Sequence, residues 1–461
     1  TVTKWLPRAA AAYMLGEKTV LRGGVGLFSY DYFFENRNQA GFAQATPVLV
    51  TTDNGITFTG ANLSNPIPSG QLIEPVGSAN GLTSQLGQAL GTLYSPEREA
   101  PYYTRWEMAL QHDIGAGWVA GFTYLGSRGT NLPVVQQVNN VPLEYLSTSR
   151  SFDSATSAVL TGNVPNPFAG LLPGSTINGA NVQRQQLLRP YPHFAAFAQE
   201  GYEGSDRYHG ATIQLQKRFS NGNSISTQYT RSSTRDSLNY LNPQNGELED
   251  RVSPNDRPNR FSIGAVWHLP FGRGERYGSD WNYLVDAFFG GWQATTTYQY
   301  QSGAPLLWAN GLYYSESCGD PKDLKSNIGE KVAGGIAGLD VPAWDVSCFY
   351  FNDAPVQVNG VVSPALQRAD PRINVTNNVR YLPSTLPNVR TDDLHLLDLG
   401  ISKNFALPRG MRMQLRFEWI NALNYTVLWN PNLTPTNANF GFISQDRNNP
   451  RDLQIGLRFT F

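Results

Sequence analysis

The sequence predicts an all-β fold, a membrane-spanning antiparallel barrel of about eleven strands with long outer loops. Three observations predict it. The last eleven residues, RDLQIGLRFTF, set Leu453, Ile455, Leu457, Phe459 and Phe461 on one side of an extended chain. Gln454, Gly456, Arg458 and Thr460 take the other side, because side chains of a strand alternate between its faces. The same alternation recurs along the chain, and the connections between the alternating segments run short, then long, then short again, as on the two rims of a membrane barrel.

Composition sets the limits. A chain of 461 residues is too long for one ordinary soluble core, so it holds several domains or is hollow. Lys+Arg 35 against Asp+Glu 36 leaves a net charge of -1, which gives no footprint for nucleic acid as a partner. A mean hydropathy of -0.35, with no unbroken apolar run of about 18 residues, excludes a helical membrane protein. It leaves a barrel open, since alternation hides each strand from an averaging window.

Taken in order, Trp5 to Tyr13 alternates up to a tight turn at Gly16-Glu17-Lys18, and Thr19–Tyr30 returns. Residues 31–100, rich in Asn, Gly, Pro and Thr, form the first long excursion. Tyr102 to Gln111 and Trp118 to Tyr124 make a hairpin about Gly115-Ala116-Gly117, followed by an excursion over residues 129–192. A strand starting near His193 is expected to break at Gly201–Ser205 and merge into Tyr208–Phe219, and the Asn221-Gly222 turn sends it back through Ser224–Thr234. Phe261 to Leu269 and Trp292 to Gln301 follow, with Trp281–Phe289 between them as a short interfacial helix or the start of the second strand. After residues 302–393, the longest excursion, come Leu397 to Phe405, a turn at Leu407-Pro408-Arg409-Gly410, Met411 to Trp419, and the closing strand.

In a barrel the polar faces line the lumen. Arg105, Glu107, Gln214, Gln216, Gln299, Arg412, Gln414, Arg416 and Glu418 are the candidate lumen-lining residues. The opposite face ends in aromatics such as Trp106, Trp118, Trp267, Trp292, Tyr298 and Trp419, which suits the girdles at a lipid interface and makes outer-membrane lipid a partner. Cys318 and Cys348, the only cysteines, share one loop and point to a disulfide in an oxidising compartment, with two free thiols as the alternative.

No catalytic, metal or cofactor constellation stands out. The five histidines are widely spaced, His268 reads as lining the wall or capping a strand end, and the acidic runs Glu247-Leu248-Glu249-Asp250 and Asp392-Asp393 read as solvated loop. The expectation is a protein that is not an enzyme and needs no cofactor.

Gln454-x-Gly456-x-x-Phe459-x-Phe461 resembles the C-terminal assembly signal of bacterial outer-membrane barrels, which implies recognition by the barrel assembly machinery. Residues 18–28 (KTVLRGGVGLF), 105–131, 208–232 (YHGATIQLQKRFSNGNSISTQYTRS), 256–274, 290–305 (GGWQATTTYQYQSGAP) and 415–425 together resemble the C-terminal half of a TonB-dependent outer-membrane receptor. The likeness is greatest to the Oar-like branch that carries a carboxypeptidase-regulatory-like domain. The resemblance implies a barrel of about twenty-two strands in the bacterial outer membrane, of which residues 1–461 supply the last eleven. It implies uptake of a solute, such as a saccharide or peptide, driven by an inner-membrane energy-coupling complex acting through a plug. The plug and the N-terminal strands lie outside these residues. A passive porin or adhesin barrel, or a soluble secreted carbohydrate-binding or hydrolytic β protein, remains open on the residues alone.

Overall fold

The computed structural model describes residues 5–29, 60–70, 72, 74–75, 79, 86–87, 89–95, 99–172, 175–219, 222–309, 311–353, 357–407 and 411–461. Most of the first expected excursion lies outside the described residues, as does the turn at 408–410.

Among the described residues, eleven strands form one continuous antiparallel path in chain order. They are β1 (Arg8–Met14), β2 (Thr19–Phe28), β3 (Tyr102–Gly115), β4 (Trp118–Gln137), β5 (Ala198–Arg218), β6 (Ser224–Ser237), β7 (Asn259–His268), β8 (Trp292–Gln301), β9 (Leu394–Ala406), β10 (Arg412–Ile420) and β11 (Asp452–Thr460). Every strand pairs with its chain neighbour, so the sheet is a meander with β1 and β11 at its two ends. Two short strands join it from the side: Thr92–Tyr94 runs parallel to β5, and Arg251–Val252 pairs with β6.

Two expectations need correction. β4 does not stop near Gly129; it continues to Gln137, its outer part pairing with β5 through register shifts between Gly129 and Val134. β5 does not break at Gly201–Ser205 but runs unbroken from Ala198 to Arg218. A glycine lowers strand propensity, yet pairing of Gly201 and Gly204 with Val134 and Leu132 of β4 outweighs it here. The segment before β8 takes the helical one of its two expected forms, over Tyr283–Phe289, capped by the Asn282 side chain, which accepts from the Val285 amide.

The register makes both faces continuous across the sheet. Directly paired residues point to the same side, so one row can be followed from Ile213 through Tyr229 to Phe261 and another from Gln214 through Gln228 and Ser262 to Gln299. The first row is apolar although Ile213 is 60% exposed, and β11 exposes Leu453, Ile455, Leu457 and Phe459 in the same way. A sheet that leaves such a face uncovered and a polar face opposite it has the inside-out arrangement of a membrane barrel wall. No helix among the described residues is long and apolar enough to cross a membrane.

Aromatic rings bound the apolar face at two levels. On the outer level Trp106 lies edge-on to His209, and Tyr124 stacks on the same imidazole. On the inner level the Lys217 ammonium sits 4.8 Å over Trp118 and 4.4 Å over Phe219, whose ring meets Trp267 edge to face. From His209 to Lys217 is about 26 Å along the strand before tilt, comparable with the about 25 Å apolar band of such barrels.

The packed core lies in the outer loops rather than in the sheet. Leu306, Trp308, Tyr314, Trp344, Phe349, Ile373, Leu386, Val389 and Phe440 bury one another in residues 302–393 and in the loop before β11.

Candidate functional site

All nine candidate lumen-lining residues fall on the polar face. Arg105 pairs with Ser127, which pairs with Tyr208, and Glu107 occupies the next row of the same side. Gln214 and Gln216 pair with Gln228 and Ser226, and Gln299 with Ser262 and Leu396. Arg412, Gln414, Arg416 and Glu418 pair with Thr460, Arg458, Gly456 and Gln454, so two residues of the terminal motif share this face. Phe459 stands on the apolar side opposite Met413, and Phe461 lies just past β11, fully exposed.

The wall changes character along the sheet. Toward β1 and β10 it carries ion pairs: Arg105 approaches Glu107 at 3.9 Å, and Arg416 is paired to Glu418. All four side chains are exposed, so these pairs add little stability. A cleft of about 660 Å³ opens over Arg8, Arg22, Arg105 and Glu107. Across the middle of β5 to β8 the wall is mostly amide and hydroxyl, with Gln214, Gln216, Gln228, Thr230, Thr297 and Gln299 and the Thr212 and Thr230 hydroxyls 2.8 Å apart. Arg218 and Arg260 stand on the same face nearer its two rims.

Four outer loops interlock above this wall. Helix α1 (Ser154–Thr161) lies in the loop between β4 and β5. Its N-cap Asp153 accepts from the Thr156 and Ala155 amides and from the Thr156 and Ser147 hydroxyls. The Thr156 amide, with these other donors, holds the Asp153 carboxyl down at about 2. The same loop meets residues 371–379: the Phe152 amide donates to the Arg372 carbonyl, and the Asn378 side chain donates to Ser149 and Ser151 carbonyls.

The loop between β6 and β7 is tied in by charge. Arg390 donates to Asp256 at 2.8 Å, and the Glu249 carboxylate accepts from the Ser384 amide and hydroxyl. Glu249 and Asp392 are therefore not solvated loop residues. Asp392 is 6% exposed and accepts from the Leu428 and Asp393 amides, and burial pushes its carboxyl above the ordinary carboxylate range. Asp393 accepts from the Tyr300 hydroxyl and the Gly303 amide, both at 2.8 Å. Cys318 and Cys348 form a disulfide inside the loop core. At the other rim His268 and Asn223 close the β6–β7 edge, the His268 amide donating to the Asn223 side chain at 2.6 Å.

Sequence reasoning missed a cleft of about 150 Å³ where the loops meet the upper ends of β8 and β9. Arg257, Gln301, Asp392, Arg447 and Asn448 line it. Burial, and then the nearby Arg447 and Arg390 guanidinia, press the Arg257 proton affinity down. The residues come from separate loops and no periodicity links them. The site as a whole offers hydrogen bonding on a broad wall, a cover of interlocked loops, and arginines at the junction.

Solved outer-membrane structures resemble the chain at low sequence identity. The outer membrane transporter YddB from Escherichia coli aligns over 96% of this chain and 38% of its own, with TM-score 0.40 and 9% identity. The FrpB iron transporter from Neisseria meningitidis aligns over 98% and 38%, with TM-score 0.38 and 8% identity. The pyoverdine receptor FpvA from Pseudomonas aeruginosa aligns over 99% and 36%, with TM-score 0.39 and 9% identity. This chain thus spans 36–38% of the length of these three. No curated protein matches its sequence. The pattern of the outer membrane beta barrel domain matches residues 1–454, so the chain belongs to that family and resides in the bacterial outer membrane.

Proposed function

We propose that the chain forms part of the wall and outer cover of an energy-coupled outer-membrane importer for a neutral, hydrogen-bonding solute, a saccharide or a small peptide. The observation that carries the solute class is the uncharged hydrogen-bonding row Gln214, Gln228, Ser262 and Gln299 across the middle of the wall. Amides and hydroxyls in register exchange hydrogen bonds with sugar hydroxyls or peptide groups without desolvating a charge, and the lining groups of a transport path set its selectivity. Energy coupling is supported by the segments that resemble TonB-dependent receptors, among them the β5–β6 hairpin YHGATIQLQKRFSNGNSISTQYTRS. On this reading the coupling complex of the inner membrane acts through a plug, and the wall itself performs no catalysis.

The test is periplasmic accumulation of labelled oligosaccharides and peptides in cells producing the full-length protein, with and without a protonophore. Accumulation that the protonophore abolishes supports import against a gradient. Accumulation that persists unchanged assigns the barrel to passive diffusion.

A further inference from the structure

On the apolar side of the sheet, just beyond the outer aromatic level, three arginines stand in one cross-strand row. Arg128 of β4 pairs with Arg207 of β5, which pairs with Arg235 of β6. Like charges at directly opposed positions destabilise a sheet unless something offsets them. The structure supplies one carboxylate: Asp250 lies 2.8 Å from Arg207 and 3.2 Å from Arg235. Arg128 is exposed and has no ion-pair partner among the described residues. Four residues down β6, Arg231 lies on the same side and donates to Asn259 at 2.8 Å. Among the described residues, Asp250 is the one carboxylate in ion-pair contact with these four guanidinium groups.

The row also lines a cavity. A cleft of about 270 Å³ lies between Arg128, Arg207, Arg235 and Asp250, with Trp106 and His209 among its walls. Asp206 and Asp236 also border it, Asp236 engaged by Arg251 and Asp206 by the Gly129 amide and the Tyr103 hydroxyl. The next row toward the membrane is Gly126, His209 and Ser233, with the Trp106 ring lying over Gly126. The row after the Tyr124 level, Phe122, Ile213, Tyr229 and Phe261, belongs to the apolar band. A position directly outside an aromatic girdle is the level of lipid headgroups. β4, β5 and β6 are interior strands of the sheet, so which side the row faces does not depend on its edges.

We propose that Arg128, Arg207 and Arg235 bind a phosphate monoester carried on a glycolipid headgroup of the outer leaflet. Guanidinium pairs take phosphate oxygens bidentately, and the flat Trp106 and His209 rings beside them suit the face of a sugar. Asp250 keeps two of the three arginines oriented toward each other, and phosphate supplies the missing negative charge. A lipid held there would fasten the β4–β6 part of the wall to the leaflet. The inference is independent of which solute passes the lumen.

Binding of a bisphosphorylated lipid A, presented in detergent micelles, to the purified full-length protein tests the proposal. The double variant Arg128→Gln/Arg207→Gln is expected to bind at least tenfold more weakly, and Arg276→Gln, on the opposite rim, to bind as the parent does. An unchanged heat-dependent shift of the barrel in electrophoresis reports that the double variant is folded. If it is not, the single variant Arg128→Gln, which breaks no ion pair, is expected to lose at least threefold. The parent should bind lipid A stripped of its phosphates no better than the variants bind the phosphorylated form. Equal binding by parent and variants, or equal binding of stripped lipid, overturns the proposal. Inorganic phosphate that binds as tightly as the lipid overturns the glycolipid assignment and leaves a free-phosphate site.

Discussion

Arg390 and Asp256, 134 residues apart in the chain, meet in a 2.8 Å ion pair in which the aspartate is 5% exposed and the arginine 21%. The same carboxylate accepts from the Thr234 amide at the top of β6, so one contact ties the loop that holds the disulfide to the strand ladder. Removing one partner of a buried pair leaves the other charge without its counterion. Arg390→Met is expected to weaken the loop cover by about 3 kcal/mol. Limited proteolysis checks this: faster cutting within residues 302–393, with the barrel still resistant, is the expected outcome.

The disulfide joins residues separated by 30 positions inside the loop core. Cys318→Ser/Cys348→Ser is expected to cost the cover about 2–4 kcal/mol and to leave the strands intact. Hydrogen exchange separates the two effects. Protection should fall at Trp344 to Tyr350 and hold in β5 to β8.

Ile213 and Gln214 are neighbours on β5 with opposite fates. An arginine on the lipid side near the middle of the band costs about 2–4 kcal/mol, whereas the lumen side tolerates charge. Ile213→Arg should therefore fold into lipid vesicles poorly, and Gln214→Arg should fold like the parent. Equal folding of the two variants would falsify the assignment of the faces.

The cap of helix α1 carries a pH signature. The Asp153 carboxyl is held at about 2, below its ordinary 3.8, mainly by the Thr156 amide. A depressed folded-state pKa gives stability that is present above about 4 and is lost as pH falls toward 2. Amide exchange at Ala155 and Thr156, followed between pH 5 and 2, should accelerate in that window. Asp153→Asn, which keeps a capping oxygen without the charge, should flatten the dependence.

The wall was legible because a period of two survives any loop: Ile213, Leu215 and Phe261 declare the lipid side, and Gln214, Gln299 and Arg416 the other, before any pairing is known. Strand ends were less legible. β4 past Gly129 and β5 through Gly201–Ser205 are held by their ladders, and their composition reads as loop. The cover was hidden for a different reason. Glu249, Asp256 and Asp392 look like ordinary surface acids until Ser384, Arg390 and Leu428 arrive from distant loops to bond them. The junction of Arg257 with Arg447 has no sequence trace at all, since 190 positions separate them.

The interlocking of the loops constrains the order in which the protein can be built. Ser147 exchanges backbone hydrogen bonds with Asn377 and Val379, and Phe440 enters a core made by Trp308, Trp344 and Phe349. None of these unions can close until the hairpins bearing both members have delivered their tips to the cell exterior. Each polar segment must therefore travel outward uncondensed, and the Phe440 core is completed only after β10 and β11 are in place.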